Sequence, residues 1–134
     1  MRTALLLLFS MFALADSASD VLNVFSTAVE ALTNDDSNAF LDKFDRNMPD
    51  YAALRTNIEG LLAAYEVGST IEVVTDEGDD EKRTVALDWL LVTAEKNAVN
   101  GAEQTRRRIV KCRLERRGKQ WRITALDPID FFKN

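Results

Sequence analysis

The chain has 134 residues, enough for one hydrophobic core, and its 17 basic and 22 acidic residues give a net charge of −5. This acidic balance argues against general nucleic-acid binding, which needs a basic surface. There is no histidine and one cysteine, Cys112, which excludes histidine-based catalysis, most zinc sites and an internal disulfide. We therefore expect no metal and no cofactor, and we expect Cys112 to be a small buried side chain.

The first residues have the pattern of a cleavable secretory signal. Arg2 is followed by an almost uninterrupted apolar run that ends in the small residues of Ala13-Leu14-Ala15. The run is too short to span a bilayer, which takes about 20 residues. We predict a signal peptide at 1–15 and one domain at 16–134, secreted or periplasmic and free of the membrane after cleavage. An uncleaved anchor or a buried first helix is the alternative.

Three helices are predicted next. Ser19 or Asp20 can cap the first helix, and Pro49 is well placed at the start of the third. The apolar stripes at helical spacing are Val21 to Leu32 in the first helix, Phe40, Leu41 and Phe44 in the second, and Tyr51 to Tyr65 in the third.

After Gly68 the apolar period changes from 3.6 to 2, which predicts four antiparallel strands. The strands contain Ile71 to Thr75, Val85 to Val92, Arg106 to Arg116 and Lys119 to Leu126. The acidic tract at 76–81 is predicted to be a solvated turn, because its carboxylate order does not match a calcium loop. Asn100-Gly101 and Arg117-Gly118 are predicted to be two-residue hairpin loops.

These turns predict the pairing of the strands. Trp89 then faces Cys112, Thr93 faces Arg108, and Arg108 faces Asp127 on the last strand. The same registers place the apolar side chains of all strands on one face, toward the helices. The opposite face mixes charged and apolar side chains, which indicates either a homodimer contact or an ordinary sheet face with scattered apolar residues.

The order of elements resembles the nuclear transport factor 2-like superfamily, also called SnoaL-like or ketosteroid-isomerase-like. The segments that carry the resemblance are DVLNVFSTAVEALTNDDSNAFLDKF, MPDYAALRTNIEGLLAAYEV, VALDWLLV and QWRITALDPIDFF, and they span most of residues 19–132. The resemblance implies an α+β, cone-shaped fold, with three N-terminal helices packed on a curved antiparallel β-sheet of about four strands around an open-ended cavity. The family includes isomerases, dehydratases, epoxide hydrolases, cyclases and non-enzymatic modules, so the fold does not determine the function.

A pocket for a small hydrophobic ligand is the candidate site. Its candidate lining residues are Arg108, Asp127, Thr93, Tyr51, Tyr65 and Trp89. A buried arginine needs a carboxylate partner, so Arg108 and Asp127 form either a polar rim for the ligand or a structural ion pair that anchors the last strand. The tyrosines and Trp89 also fit the role of core aromatics.

No catalytic residue is assigned. The resemblance implies two acids around an arginine for epoxide hydrolysis and histidine for dehydration, but the predicted inner face has only Asp127 and the chain has no histidine. Tyr51 and Tyr65 offer hydroxyl groups for an isomerase, but no acid is identified beside them.

The arginine-rich strand alternates its side chains between two faces, so it does not form a continuous phosphate-binding stripe. On the outer face, Arg113 is predicted to pair with Asp88. We expect an exported ligand-binding or dimerising module. A cavity enzyme of isomerase or hydrolase type, acting on a small hydrophobic substrate, and a structural protein-interaction domain are the alternatives.

Overall fold

The computed structural model describes residues 2–134, with side chains from residue 17 onward. Its elements are α1 (Arg2–Thr33), α2 (Ser37–Leu41), α3 (Tyr51–Ala64), β1 (Tyr65–Gly78), β2 (Lys82–Glu95), β3 (Gln104–Arg117), β4 (Gln120–Asp127) and a 3₁₀ helix, η1 (Ile129–Phe132). The predicted α+β architecture, with three helices before a four-stranded antiparallel sheet, is confirmed. The predicted leader at 1–15 lies outside the residues whose side chains are described.

The helix boundaries differ from the prediction at three points. α1 runs through Ser19 and Asp20, so the predicted helix start at these residues is wrong. α2 ends at Leu41, and Phe44 instead lies in an extended segment that forms a parallel bridge to Ile123. Tyr65 begins β1 instead of ending α3, because the backbone is already extended there.

The turn between α1 and α2 is built from acidic residues. Asp35 adopts a positive φ of 59°, and the N–H of Asp36 donates to the carbonyl of Ala31, which closes α1 with a Schellman-type turn. The Asp36 side chain then accepts the N–H of Ala39 at 3.0 Å and caps α2.

The β2–β3 register is shifted from the predicted one. Asn100 has the expected positive φ of 65°, but the loop spans residues 96–103 instead of two residues. Trp89 therefore faces Arg108 and not Cys112, and Thr93 faces Gln104. The shift is an even number of residues, so every side chain keeps its predicted face.

The β3–β4 hairpin contains a bulge that the prediction lacked. The strands pair Leu114 with Ile123 and then Arg113 with Ala125, so Thr124 is an extra residue in β4. Beyond this bulge, the side chains of β4 point to the faces opposite to those predicted. Asp127 therefore pairs with Lys111 on the solvent side of the sheet. The predicted pairing of Arg108 with Asp127 is therefore wrong.

The core lies between the helices and the inner face of the sheet. Its strand residues include Leu87, Trp89, Leu91, Val110, Cys112, Leu114 and Ile123, each at most 1 % exposed. The predicted burial of one sheet face is therefore confirmed. Within the described part of the chain, no helix combines the length and sustained apolarity that crossing a bilayer requires.

Candidate functional site

Aromatic side chains fill the interior where a ligand cavity was predicted. The cluster consists of Phe40, Phe44, Trp89, Phe131 and Phe132, all at most 2 % exposed. Ring centroids lie 5.2 Å apart for Trp89 and Phe132 and 5.3 Å apart for Phe40 and Phe132, with edge-to-face geometry in both pairs. The C-terminal η1 supplies Phe131 and Phe132, so the end of the chain closes this space.

Trp89 is a core residue and does not line an open pocket. Its side chain is fully buried, and its indole Nε1 donates to Oγ of Ser69 on the neighbouring strand at 2.7 Å. This bond satisfies the one polar atom of the ring. The side chain therefore acts in packing, as the alternative interpretation of this residue predicted.

Arg108 and Asp127 form no common site. Arg108 lies on the inner-facing side of β3 beyond the end of β4, where its side chain is exposed to solvent. Asp127 is exposed on the other face because the bulge at Thr124 reverses the alternation. The neighbouring Arg106 is the arginine that reaches the interior edge, where it donates to the backbone carbonyl of Phe131.

Thr93 and Tyr65 are the two candidate residues that the structure brings together. Both line a cleft of about 480 Å³ at one end of the sheet, which we call the α1–β1 cleft. Its lining comes from the end of α1 and the turn after it (32–35), the start of β1 (65–68), the end of β2 (92–94), Lys96 and Glu103. Tyr51 lies elsewhere, in a separate groove beside Arg46 and Arg55.

Lys96 joins the elements that form the α1–β1 cleft. Its ammonium group pairs with the carboxylate of Asp35 at 2.8 Å and donates to the carbonyl of Leu62 at 2.6 Å. The backbone N–H of Lys96 also donates to the carbonyl of Ala64 at 3.0 Å. These bonds connect the ends of α1, α3 and β2, so the cleft has defined walls.

A partly buried ion pair was missed by the sequence reasoning. Arg83 is 8 % exposed, and its guanidinium pairs with Asp76 at 2.8 Å and donates to the carbonyl of Asp79 at 3.0 Å. The missed signal was the alternation of β2, which places Arg83 on the same face as Val85 and Leu87. The acidic tract is thus partly structural.

The outer face of the sheet combines charges with apolar side chains. By strand alternation, this outer face presents Glu72 from β1, Ala86, Asp88, Leu90 and Val92 from β2, and Arg107, Ile109, Lys111 and Arg113 from β3. Asp88 pairs with Arg107, whose Nε lies 2.9 Å from its carboxylate, and not with Arg113 as predicted. The hydrogen bond from Arg107 lowers the pKa of Asp88 below its usual value.

Cys112 and Asp79 also have pKa values shifted by their surroundings. Burial raises the pKa of the Cys112 thiol far above its usual value, so the thiol stays protonated and unreactive. The pKa of Asp79 is lowered by hydrogen bonds from the backbone of Lys82 and Glu81. Within residues 17–134, no group of three or more cysteine or acidic side chains is arranged to hold a metal ion.

No protein-family model matches the chain, and no curated protein matches it. Solved structures do match, at low sequence identity. A conserved protein from Planctomyces limnophilus is 10 % identical, with a TM-score of 0.73 over 84 % of this chain and 93 % of that chain. A scytalone dehydratase-like protein from Novosphingobium aromaticivorans is 8 % identical, with a TM-score of 0.76 over 87 % of this chain and 85 % of that chain.

A third similar structure is the type 2 hexachlorocyclohexane dehydrochlorinase LinA. It is 12 % identical, with a TM-score of 0.69 over 87 % of this chain and 86 % of that chain. Identities at this level establish the shared fold and no shared activity. The chain has the nuclear transport factor 2-like, or SnoaL-like, fold that the scytalone dehydratase-like protein and LinA also have.

Proposed function

We propose that this chain is an exported, non-catalytic module that pairs with a second copy of itself through the outer face of its sheet. The observation that carries the proposal is the set of apolar side chains in the middle of that face. Leu90 lies diagonally across from Ile109, which is 50 % exposed, and Val92 follows Leu90 on the same face of β2. Apolar side chains clustered at the centre of an otherwise charged surface are typical of protein contacts.

The charges of the outer face are arranged in a self-complementary way. β1 contributes the acidic Glu72, β3 contributes Arg107 and Lys111, and the apolar residues of β2 lie between them. A two-fold axis parallel to β2 would set the acidic edge of one copy against the basic strand of the other. Such an isologous contact is the commonest arrangement in soluble dimers.

The filled interior is the reason for proposing no catalysis. The aromatic cluster occupies the space behind the sheet, and the acid and the arginine considered for an enzyme lie on opposite faces. The bulges in β1 and β4 favour a sheet that curves around the helices. We therefore include in the proposal the cone shape of this fold, in a form whose interior is closed.

Export is the second part of the proposal, and it rests on the leader pattern at 1–15. The test is N-terminal sequencing of the protein produced in a host with a general secretory pathway. A mature chain that begins at Asp16 is expected, and a purified protein that begins at Met1 would contradict it.

Dimerisation is tested by sedimentation equilibrium of the purified chain and two matched variants. Ile109→Asp is expected to convert the dimer to monomer, because the new carboxylate lies opposite Asp88 and faces the acidic β1 edge of the second copy. Val99→Asp is the control, since Val99 is 92 % exposed and lies in the 96–103 loop, away from the sheet face. A parent chain that is monomeric at all accessible concentrations would overturn the proposal.

The charge arrangement has its own test. Glu72→Lys and Lys111→Glu are each expected to weaken the dimer, and the two together are expected to restore part of the affinity. Equal and additive losses would show that the two charges do not meet across the contact.

A further inference from the structure

A second groove, of about 280 Å³, lies beside the start of β4, and we call it the α1–β4 groove. Its lining comes from α1 (20, 23 and 24), from the segment after α2 (42 and 43), and from the β3–β4 turn and the first residues of β4 (119–122). None of these residues belongs to the outer-face set named above, so the groove is separate from the proposed dimer contact.

The indole N–H of Trp121 is a buried donor without an acceptor. Trp121 is 5 % exposed and lines the groove, and its Nε1 has no hydrogen-bond partner within residues 17–134. The indole of Trp89, by contrast, donates to Ser69. A buried donor left unsatisfied is unfavourable, and most buried polar side-chain atoms are hydrogen-bonded. The indole N–H of Trp121 therefore indicates a ligand that supplies an acceptor.

The main-chain N–H of Trp121 is a second donor at the same edge of β4. Ile123 uses that edge for two hydrogen bonds: its N–H donates to the carbonyl of Lys43 at 2.9 Å, and its carbonyl accepts the N–H of Asp45 at 2.8 Å. Backbone groups of an antiparallel strand alternate between its two edges. The N–H of Trp121, two residues before Ile123 with no bulge between them, therefore points to the edge beside Lys43.

The charged side chains around the groove favour an anion. Three basic and two acidic residues line it, although the whole chain has a net charge of −5; they are Lys43, Lys119, Arg122, Asp20 and Asp42. Arg122 lies 3.8 Å from the carboxylate of Asp42 and also donates to the backbone carbonyl of Asp42. Lys43 and Lys119 form no ion pair in the described part of the chain, so their charges are available to a ligand.

We infer that the α1–β4 groove binds a small organic carboxylate. The carboxylate lies between Lys43 and Lys119 and accepts the indole N–H of Trp121, a charge-assisted hydrogen bond. The indole nitrogen is closed off from water, so the exposed side chain of Lys119 turns aside as the carboxylate enters. This inference and the proposed dimer use different residues, so either can fail without the other.

Three probes of similar shape test the ligand class by isothermal titration calorimetry at pH 7. Benzoate carries the inferred anion, benzyl alcohol is its neutral counterpart, and benzylamine is its cationic counterpart. Benzoate is expected to bind at least about tenfold more tightly than either of the others, a difference of about 1.4 kcal/mol. Equal binding of all three probes, or tighter binding of benzylamine, would overturn the inference.

The two indole N–H groups report on the same titration in proton–nitrogen correlation NMR spectra. The chain has two tryptophans, and the spectrum of Trp121→Phe assigns their indole signals. Benzoate is expected to move the indole proton signal of Trp121 downfield, because this proton gains an acceptor. The signal of Trp89 is the internal control, since its N–H is already bound to Ser69. An unmoved Trp121 signal at saturating benzoate would refute the site.

Variants locate the site. The double variant Lys43→Gln/Lys119→Gln is expected to lose at least about tenfold in benzoate affinity, and Trp121→Phe is expected to lose about tenfold, for one hydrogen bond to a charged group. Asp20→Asn is expected to bind benzoate more tightly, because it removes a like charge. Lys133→Gln is the control, since it removes an exposed lysine outside the groove. Should Trp121→Phe fail to fold, the lysine double variant still decides, and an unchanged affinity there would refute the site.

Discussion

Replacing Ser69 with alanine leaves the buried indole N–H of Trp89 without a hydrogen-bond acceptor. The bond is short, at 2.7 Å, and Trp89 is fully buried, so water cannot replace the lost oxygen directly from the Trp89 side. An unsatisfied buried donor costs about 1–3 kcal/mol. Because Ser69 is only half-buried, we expect the lower part of that range, about 1–2 kcal/mol.

The assay is urea unfolding followed by circular dichroism, which does not depend on the tryptophan being changed. A loss of 1 kcal/mol corresponds to a fall of about 4 °C in Tm for a domain of this size. The decisive comparison is a double-mutant cycle with Trp89→Phe, which removes the donor. Ser69→Ala should cost almost nothing in the Trp89→Phe background. An equal cost in both backgrounds would refute the role assigned to this bond.

Three further predictions concern single side chains. Trp121→Phe is expected to lower the unfolding free energy by about 1–2 kcal/mol less than Trp89→Phe does. The reason is that the buried Nε1 of Trp121 has no hydrogen-bond partner within the described residues. An equal loss in the two variants would contradict this prediction. Gly78→Ala is expected to lower the Tm by destabilising the β1–β2 hairpin. Gly78 has a φ of 138°, and an added Cβ would lie 2.2 Å from the carbonyl oxygen of Lys82. An unchanged Tm would contradict this prediction. The pKa of Asp45 is lowered, chiefly by a hydrogen bond from the backbone N–H two residues further on. The ionised carboxylate therefore stabilises the fold above the pKa that Asp45 has in the unfolded chain, and this stabilisation is lost as the pH falls through its pKa in the folded chain. Asp45→Asn should therefore be less stable than the parent at pH 7, and the difference should shrink as the pH falls toward about 2. A constant difference in unfolding free energy across this range would show that the charge has no role.

Hydrophobic periodicity was sufficient to predict the layers of the fold. Alternation in β2 and β3 identified Leu87, Trp89 and Cys112 as facing the helices, and all three are buried. The exact strand partners were not predictable, because Asn100-Gly101 indicates a turn but not the length of the loop that contains it. A register that shifts by an even number of residues keeps the same faces, so the pattern of burial could not reveal the error.

The predicted pairing of Arg108 with Asp127 depended on the β3–β4 register near the end of β4, which hydrophobic periodicity defines poorly. The bulge at Thr124 adds one residue to β4, and no glycine or proline marks it in the sequence. One extra residue was enough to move Asp127 from the predicted interior to the solvent side. The predicted face of Thr93 depends only on the alternation of side chains along β2, which contains no bulge. Thr93 is the candidate residue that still lines an open cleft with Tyr65.

The 3₁₀ helix η1 fills part of the space between the sheet and the helices with two buried aromatic side chains. Phe131 and Phe132 enter the space between the sheet and the helices from a segment that follows the last strand, and the guanidinium of Arg106 holds the Phe131 carbonyl. If η1 moved away from the core, an apolar cavity of about the volume of two aromatic rings would open. Apolar cavities of this kind bind small apolar molecules such as benzene. The position of Phe131 and Phe132 therefore determines how much open space lies between the sheet and the helices.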